Sequence, residues 1–489
     1  MTRRITVDPI TRLEGHGRIE IFLNDQGNVE RAFFQVPELR GFEKFCQGRP
    51  AEEMARITPR ICGVCPTAHH LASTKALDDL FRVAPTPAAR AIREMFYNMF
   101  MFEDHLLHFY FLGGPDFIVG PKAPRAERNI LGVAAKVGLQ TAGELIAMRR
   151  MVRELMEEIG GKAIHPVFGL PGGVAKRVNE EQRERLIRVA AKAVDFAAFT
   201  LKAFEDLVLQ NPEYVELITG DTYTLETYYM GLVDEQNRVN FYDGQVRIVD
   251  LRGREFGRFK GIDYLEWIGE HVEPWSYIKF PFLKKIGWNG WRDGDQTCFY
   301  RVAPLARLNA ADRMASPRAQ EAYQHFCQTL GGKPIHFTLA YHWARVIEIM
   351  QAAEEFYRLA HVPELTDPEI RNLPSETPTQ GVGIIEAPRG TLIHHYKTDS
   401  NGLITEANLI VATVNNSASI SMNIEKAAKA LILNGEVDDG LLNMVEMAFR
   451  AYDPCLACAT HQLPGGISIP IILRDRRGNI LREIRTARK

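Results

Sequence analysis

The sequence predicts a mainly α-helical chain with small β elements, an α+β body built on a long-helix bundle with N-terminal and C-terminal β-hairpins. Three observations predict it. Long stretches carry apolar residues at helical spacing through the middle of the chain. Alternating apolar and polar runs are short and lie mostly towards the two ends. No internal repeat or low-complexity linker divides the 489 residues, so a single compact body is expected.

Taken in order, residues 18–23 alternate, residues 24–28 (Asn-Asp-Gln-Gly-Asn) turn, and residues 29–36 return, which is a hairpin pattern. Residues 87–112 are rich in Ala, Met and Phe on most faces, the pattern of a core helix. Residues 129–160 and 179–210 are two more long helices, separated by Pro171-Gly172-Gly173. The second opens on Asn179-Glu180-Glu181-Gln182, a capping-box pattern in which a side-chain acceptor precedes Gln by three positions. Residues 238–260 read as short antiparallel strands, 335–361 as a strong helix, and 381–414 as a hairpin turning at Asp399-Ser400-Asn401-Gly402. Helices are expected over 419–433 and 438–452.

Composition narrows the function. The chain is 46% hydrophobic and 25% charged, which suffices for a large core. A net charge of -2 without a clustered basic face argues against nucleic acid as a partner. No window reads as a membrane span of about 20 apolar residues. The start, Met1-Thr2-Arg3-Arg4-Ile5, lacks the apolar run of a signal peptide. Seven cysteines in so long a chain do not make a disulfide framework, so a reducing, cytoplasmic setting is expected, with thiols kept for metal or redox chemistry.

Two motifs carry chemistry. The first is Arg60-Ile61-Cys62-Gly63-Val64-Cys65-Pro66-Thr67-Ala68-His69-His70, the second Asp453-Pro454-Cys455-Leu456-Ala457-Cys458-Ala459-Thr460-His461. A two-residue gap lets both sulfurs of each pair face one point, and four thiolates form a soft-metal ligand set. One such pair alone reads as a zinc half-site or redox dithiol. Structural zinc pairs lie about 12–20 residues apart, whereas these stand at opposite ends of the chain and carry additional His and Asp groups. Cys46, Cys298 and Cys327 are scattered and read as small buried apolar residues, so no iron–sulfur cluster is expected on this chain.

These motifs, Arg-x-Cys-Gly-x-Cys-x-x-x-His and Asp-Pro-Cys-x-x-Cys-x-x-His, resemble the two signatures of nickel–iron hydrogenase large subunits. The resemblance spans essentially the whole chain. It includes Arg12-Leu13-Glu14-Gly15-His16, Arg40-Gly41-Phe42-Glu43, Phe109-Tyr110 with Asp116, and Glu386-Ala387-Pro388-Arg389-Gly390. It is nearest to the soluble branch working with nicotinamide-reducing or heterodisulfide-reductase-linked modules, and implies that family's fold. It implies that Cys62 and Cys455 are terminal nickel ligands, and that Cys65 and Cys458 bridge nickel to an iron carrying carbon monoxide and cyanide. Arg389 is expected over the metals, donating to cyanide or assisting as a base. Pro388 would wall the pocket, and Asp116 and Asp453 would orient Arg389. His69 would hydrogen-bond near a bridging thiolate. Glu14 would relay a proton from Cys455, and Glu43, His461 and the backbone carbonyl around Leu409 would bind Mg²⁺. Outside these motifs, an Arg in a hairpin is ordinarily a surface charge and an Asp before Pro a turn residue.

The resemblance also implies trimming after His461 by a maturation endopeptidase, removing the 28 residues from Gln462 to Lys489. Electrons released from dihydrogen must leave through an iron–sulfur small subunit, then a further module of flavin/NAD diaphorase or heterodisulfide reductase type. The expected reaction is reversible cleavage of dihydrogen to protons and electrons, with the Cys455 thiolate or Arg389 as base. Two competing readings are a metal-free structural relative of the complex I kind and a structural Cys₄ zinc protein. The presence of all four ligand cysteines speaks against the first, and metal analysis decides the second.

Overall fold

The alternating N-terminal run closes into a three-stranded antiparallel sheet in this computed structural model. It describes residues 3–8, 10–376 and 379–460 and two further strands, Pro470–Arg474 and Ile480–Arg485. Strand β1 (Arg3–Val7) pairs with β2 (Arg18–Leu23), and β2 with β3 (Val29–Gln35), placing Ile19 opposite Phe34. Ile19, Ile21 and Phe34 are fully buried while Glu30 and Arg31 face solvent, so period-two patterning sets which face meets the body.

Several helices begin where a side chain satisfies a free N–H group. After α1 (Pro66–Leu80), α2 (Pro87–Leu107) starts on Thr86, whose Oγ1 accepts from Ala89 N–H at 3.2 Å. It runs on into a wider π turn over His108–Gly113. The single helix expected over 129–160 is instead two, α3 (Ile130–Val137) and α4 (Leu139–Gly160), bent by 120°. Gly138 stands between them at φ +93°, a backbone state that glycine adopts without a Cβ penalty. Helix α5 (Glu180–Phe204) opens on the expected capping box, Asn179 and Gln182 exchanging both bonds. No single helix among the described residues is long and apolar enough to cross a membrane.

Strands β4 (Tyr228–Val233), β5 (Gln245–Val249) and β6 (Glu255–Phe259) form a second sheet. The first of these lies outside the span that alternation marked. The short α6 (Pro304–Ala310) packs on β4, and α7 (Tyr341–Ala360) packs along both α2 and α5. Val346, Ile347 and Ile349 of α7 are fully buried, each contributing about 1.5–3 kcal/mol of apolar burial. The expected hairpin at 381–414 is a three-stranded meander: β7 (Gln380–Ala387), β8 (Gly390–Thr398) and β9 (Ile404–Ile410). Its first turn is only Pro388-Arg389, too short to read as a turn from composition. Helices α8 (Ser417–Leu431) and α9 (Asp439–Arg450) follow as expected.

The meander is held against α1 by glycines. A Cβ on Gly383 would stand 2.1 Å from Ala72 O, and one on Gly381 2.3 Å from Ala76 O, both backbone atoms of α1. This close approach ties the helix that follows Cys65 to the strand that leads to Arg389. Gly383→Ala should therefore cost about 1–3 kcal/mol through overpacking, read as a lower thermal midpoint. A midpoint equal to the parent's would show that helix and strand do not touch this closely.

Candidate metal centre

The first cysteine pair sits at the start of α1. Cys62 is extended and Cys65 is the residue before the helix, with Pro66 at its first position, where a missing N–H costs nothing. Cys62 Sγ accepts from the N–H groups of Val64 at 3.2 Å and Cys65 at 3.1 Å. The second pair follows α9, after Asp453 in a left-handed conformation at φ +57°. The N-terminal segment clamps it: Glu14 pairs in parallel with Cys455, Glu14 N–H donating to Pro454 O and Leu456 N–H to Glu14 O. Gly15 permits this approach, because a Cβ there would lie 2.8 Å from Ala457 N.

The two ends of the chain thus bring four sulfurs together. Cys62 and Cys455 lie 3.2 Å apart, Cys65 and Cys458 3.4 Å, and Cys455 and Cys458 2.7 Å. All four are buried, none is in a disulfide, and their Sγ atoms lie within 4.8 Å of one another. Two thiolates bound to one ion at about 2.3 Å stand at most about 4.6 Å apart, so sulfurs gathered this closely are within reach of shared metal ions. Among the described residues, no other three or more His, Cys, Asp or Glu side chains converge in this way. Burial pushes the Cys455 and Cys458 thiols well up, whereas at Cys62 hydrogen bonds from the other three outweigh burial and lower it. A cation among the sulfurs favours the thiolate form of all four.

Arg389 occupies the two-residue turn between β7 and β8 and is buried. It donates from Nη1 to Asp104 (3.1 and 3.3 Å) and from Nη2 to Asp453 at 3.0 Å. Burial alone would lower its pKa, but these carboxylates hold it well above the ordinary value. Asp104 is pushed up to about 7 by burial, opposed by Arg389.

Asp453 thus contacts Arg389, whereas the carboxylate of Asp116 is bound elsewhere. Its carboxylate binds Arg12 at 2.5 Å, Arg450 at 2.7 Å and Asn443 at 3.0 Å, tying the segment before Glu14 to the helix before Asp453. The partner that sequence reasoning missed is Asp104. Its signal was an acidic pair, Glu103-Asp104, inside a helix apolar on most faces.

Glu14 Oε2 accepts from Cys455 Sγ–H at 3.0 Å and from Ala457 N–H at 3.1 Å. Burial raises the Glu14 pKa, with Cys62 adding to the rise and both hydrogen bonds opposing it. Pro388 is buried, and its carbonyl faces Arg307. His69 stands one helical turn after Cys65. Its Nδ1 meets His394 Nε2 at 3.1 Å, while its buried Nε2 has no hydrogen-bond partner among the described residues. Glu43 Oε1 accepts from Leu409 N–H at 2.8 Å, so the amide of Leu409, where its carbonyl was expected, faces this carboxylate. Beside them a small space of about 10 Å³, the size of one water, is lined by Glu43, Glu270, Lys279, Leu409 and Ala459 among others. Burial pushes Glu43 up to about 7, opposed by Lys279. His461 lies outside the described residues.

A family profile for nickel-dependent hydrogenases matches residues 40–144 and 232–461, and a HoxL-like profile matches 4–39. An F420-non-reducing hydrogenase iron-sulfur subunit of Archaeoglobus profundus is 49% identical over 484 residues, 99% of each chain. The NAD-reducing hydrogenase HoxS subunit beta of Cupriavidus necator is 35% identical, again over 99% of each. A solved NAD+-reducing [NiFe]-hydrogenase superposes with a TM-score of 0.88 at 38% identity, over 94% of this chain and 100% of that one.

Proposed function

This chain belongs to the nickel-dependent hydrogenases as a large subunit, and on that premise we propose that Cys62, Cys65, Cys455 and Cys458 hold a nickel–iron pair. It is an oxidoreductase acting on dihydrogen. The observation that carries the reading is the convergence of four sulfurs from opposite chain ends within 4.8 Å. When bound, the metal pair supplies polarisation of dihydrogen and a redox change that thiolate donors support. Everything else is done by the chain. The Cys455 sulfur, as a thiolate, would receive the proton, and Glu14 Oε2 at 3.0 Å is placed to take it on. Glu14 carries it outward, its burial lifting the carboxyl towards the pH at which it exchanges protons. Arg389, held charged by Asp104 and Asp453, presents a fixed cation over the sulfurs and can donate to cyanide on iron, with Pro388 completing the wall. His69, through its unpaired Nε2, supports a bridging thiolate.

Glu43, with Leu409 and His461, is proposed to hold Mg²⁺ in the small space beside Ala459. Residues 1–461 form the working body, and 462–489 are removed by an endopeptidase. This chain holds no iron–sulfur cluster in this reading, so an iron–sulfur small subunit docks over the Cys62 loop. His165 Nε2 there contacts Cys62 O at 3.0 Å. Beside it lies a cavity of about 500 Å³ lined by Arg40, Phe42, Phe45, Arg56, Arg60 and Lys162. Phe45 is 53% exposed at its rim, an apolar anchor among basic groups. A flavin/NAD or heterodisulfide-reductase-type module then takes the electrons, in the cytoplasm.

The test is to purify the mature chain together with its small partner, determine its metals and mass, and assay hydrogen-dependent reduction of a viologen dye. One nickel per chain, iron in excess of it by the content of the small partner's clusters plus one, a chain ending at His461 and dye reduction are expected. Zinc in their place, with no hydrogen-dependent reduction, would overturn the reading.

A further inference from the structure

The side chain of Arg389 is anchored by Asp104 and Asp453, but its position also depends on the backbone turn that carries it. That turn rests on one buried guanidinium. Arg307, on α6, uses all five of its N–H donors, and every bond is internal. Nε and Nη2 donate to the two oxygens of Glu348, both at 2.6 Å. Nη1 donates to Glu386 Oε2 at 2.7 Å and to Ala387 O at 2.9 Å, and Nη2 also reaches Pro388 O at 3.3 Å. The last two acceptors are the carbonyls immediately before Arg389.

Both carboxylates are held in turn. Glu348 Oε2 also meets His105 Nε2 at 2.9 Å, one residue from Asp104 on α2. Glu386 Oε1 accepts from Thr391 Oγ1 at 2.6 Å and from Leu232 N–H at 3.1 Å. Arg307, Glu348 and Glu386 have no solvent exposure. Removing two acids and a base from water is costly, and replacing such a set by packed apolar residues is often neutral or stabilising, so stability is a weak reason for it. What a planar five-donor fork adds is geometry. It ties α6, α2, α7 and β7 to the two carbonyls that aim the next side chain.

We infer that Arg307, braced by Glu348 and Glu386, is a positioning residue that sets where Arg389 stands over the four cysteine sulfurs. This rests on the reading of Arg389 as the cation above the metals. Arg307→Lys keeps the charge but offers three donors without the fork, so it cannot hold both carboxylates and both carbonyls. A displacement of about 1 Å can cost about 100-fold in rate.

The experiment compares Arg307→Lys, Arg389→Lys and Arg93→Lys in the complete, metal-loaded enzyme. It measures hydrogen oxidation, thermal midpoint and the infrared bands of the diatomic ligands on iron. Arg93 is a matched control: it too is buried and bonds an acid, Asp78 at 2.5 Å, and two backbone carbonyls, Leu170 O and Gly173 O. Asp78 lies about 20 Å along α1 from Cys65. Arg307→Lys is expected to shift the bands in the direction that Arg389→Lys shifts them and to slow turnover about 10–100-fold, with nickel content unchanged. Arg93→Lys should lower the midpoint alone. If Arg307→Lys does not mature, Glu386→Gln, which removes the charge and keeps the shape, should give the same band shift at smaller amplitude. Bands and rate at parental values in Arg307→Lys, or in Glu386→Gln where it stands in, would overturn the inference while Arg389→Lys still shifts them. An Arg389→Lys enzyme with parental bands and rate would instead overturn the reading beneath it, and the inference with it.

Discussion

Cys458→Ser is expected to yield a folded chain without nickel and with no hydrogen-dependent activity. The sulfur of Cys458 lies 2.7 Å from Cys455 and 3.4 Å from Cys65, so it contacts a member of each pair. A hydroxyl is close in volume but is a hard, weakly acidic donor, and a soft metal set built on thiolates does not accept it. The metal-free chain should be little affected. Cys458 is then a small buried side chain whose thiol pKa burial raises well above its ordinary value. Metal content by elemental analysis should fall to background while the thermal midpoint of the metal-free form stays within about 1 kcal/mol of the parent. A Cys458→Ser enzyme that retained parental nickel and oxidised hydrogen would rule out the four-sulfur site.

The cysteine pairs were legible because their geometry is local: a two-residue gap orients two sulfurs whatever surrounds them. That they would meet was legible only through resemblance, since 393 residues separate Cys62 from Cys455. Asp104 shows where local reading stops. Its partner Arg389 is 285 residues away, and nothing within α2 separates it from Glu103, which binds Arg149 and Arg153 instead. Asp116 was given to Arg389 by motif, yet Arg12 and Arg450 claim its carboxylate first. The break at Gly138 went unread because a glycine inside a helical pattern is tolerated at about 1 kcal/mol, so sequence alone does not distinguish a bend from a continuous helix. Arg389 could be singled out by its motif, but its burial, against the habit of arginine in turns, is matched by two carboxylates, Asp104 and Asp453, from distant parts of the chain.

Glu14→Gln is expected to lower hydrogen oxidation by about 10²–10⁴-fold, the range for losing a proton-transferring group. Nickel and iron content should not change. The glutamine oxygen can still accept from Ala457 N–H, now at 3.1 Å from Glu14 Oε2, so the clamp between the chain ends is preserved. What is lost is an atom able to take a proton from Cys455 and release it, because a carboxamide does not protonate near neutral pH. Glu14→Asp keeps the acid but withdraws it by one methylene, and should recover part of the rate. Exchange of deuterium gas with solvent protons separates this route from its rival. Were Arg389 the base, Glu14→Gln would exchange at the parental rate, and Asp104→Asn, which removes one of the two carboxylates holding Arg389 charged, would alter it instead. Burial pushes Asp104 up to about 7 against the pull of Arg389. Yet it bonds the guanidinium, whereas Glu14 bonds a cysteine sulfur directly. A proton leaving Cys455 therefore meets Glu14 at 3.0 Å without crossing a fixed positive charge, and loss of exchange in the Gln variant is the outcome this geometry requires.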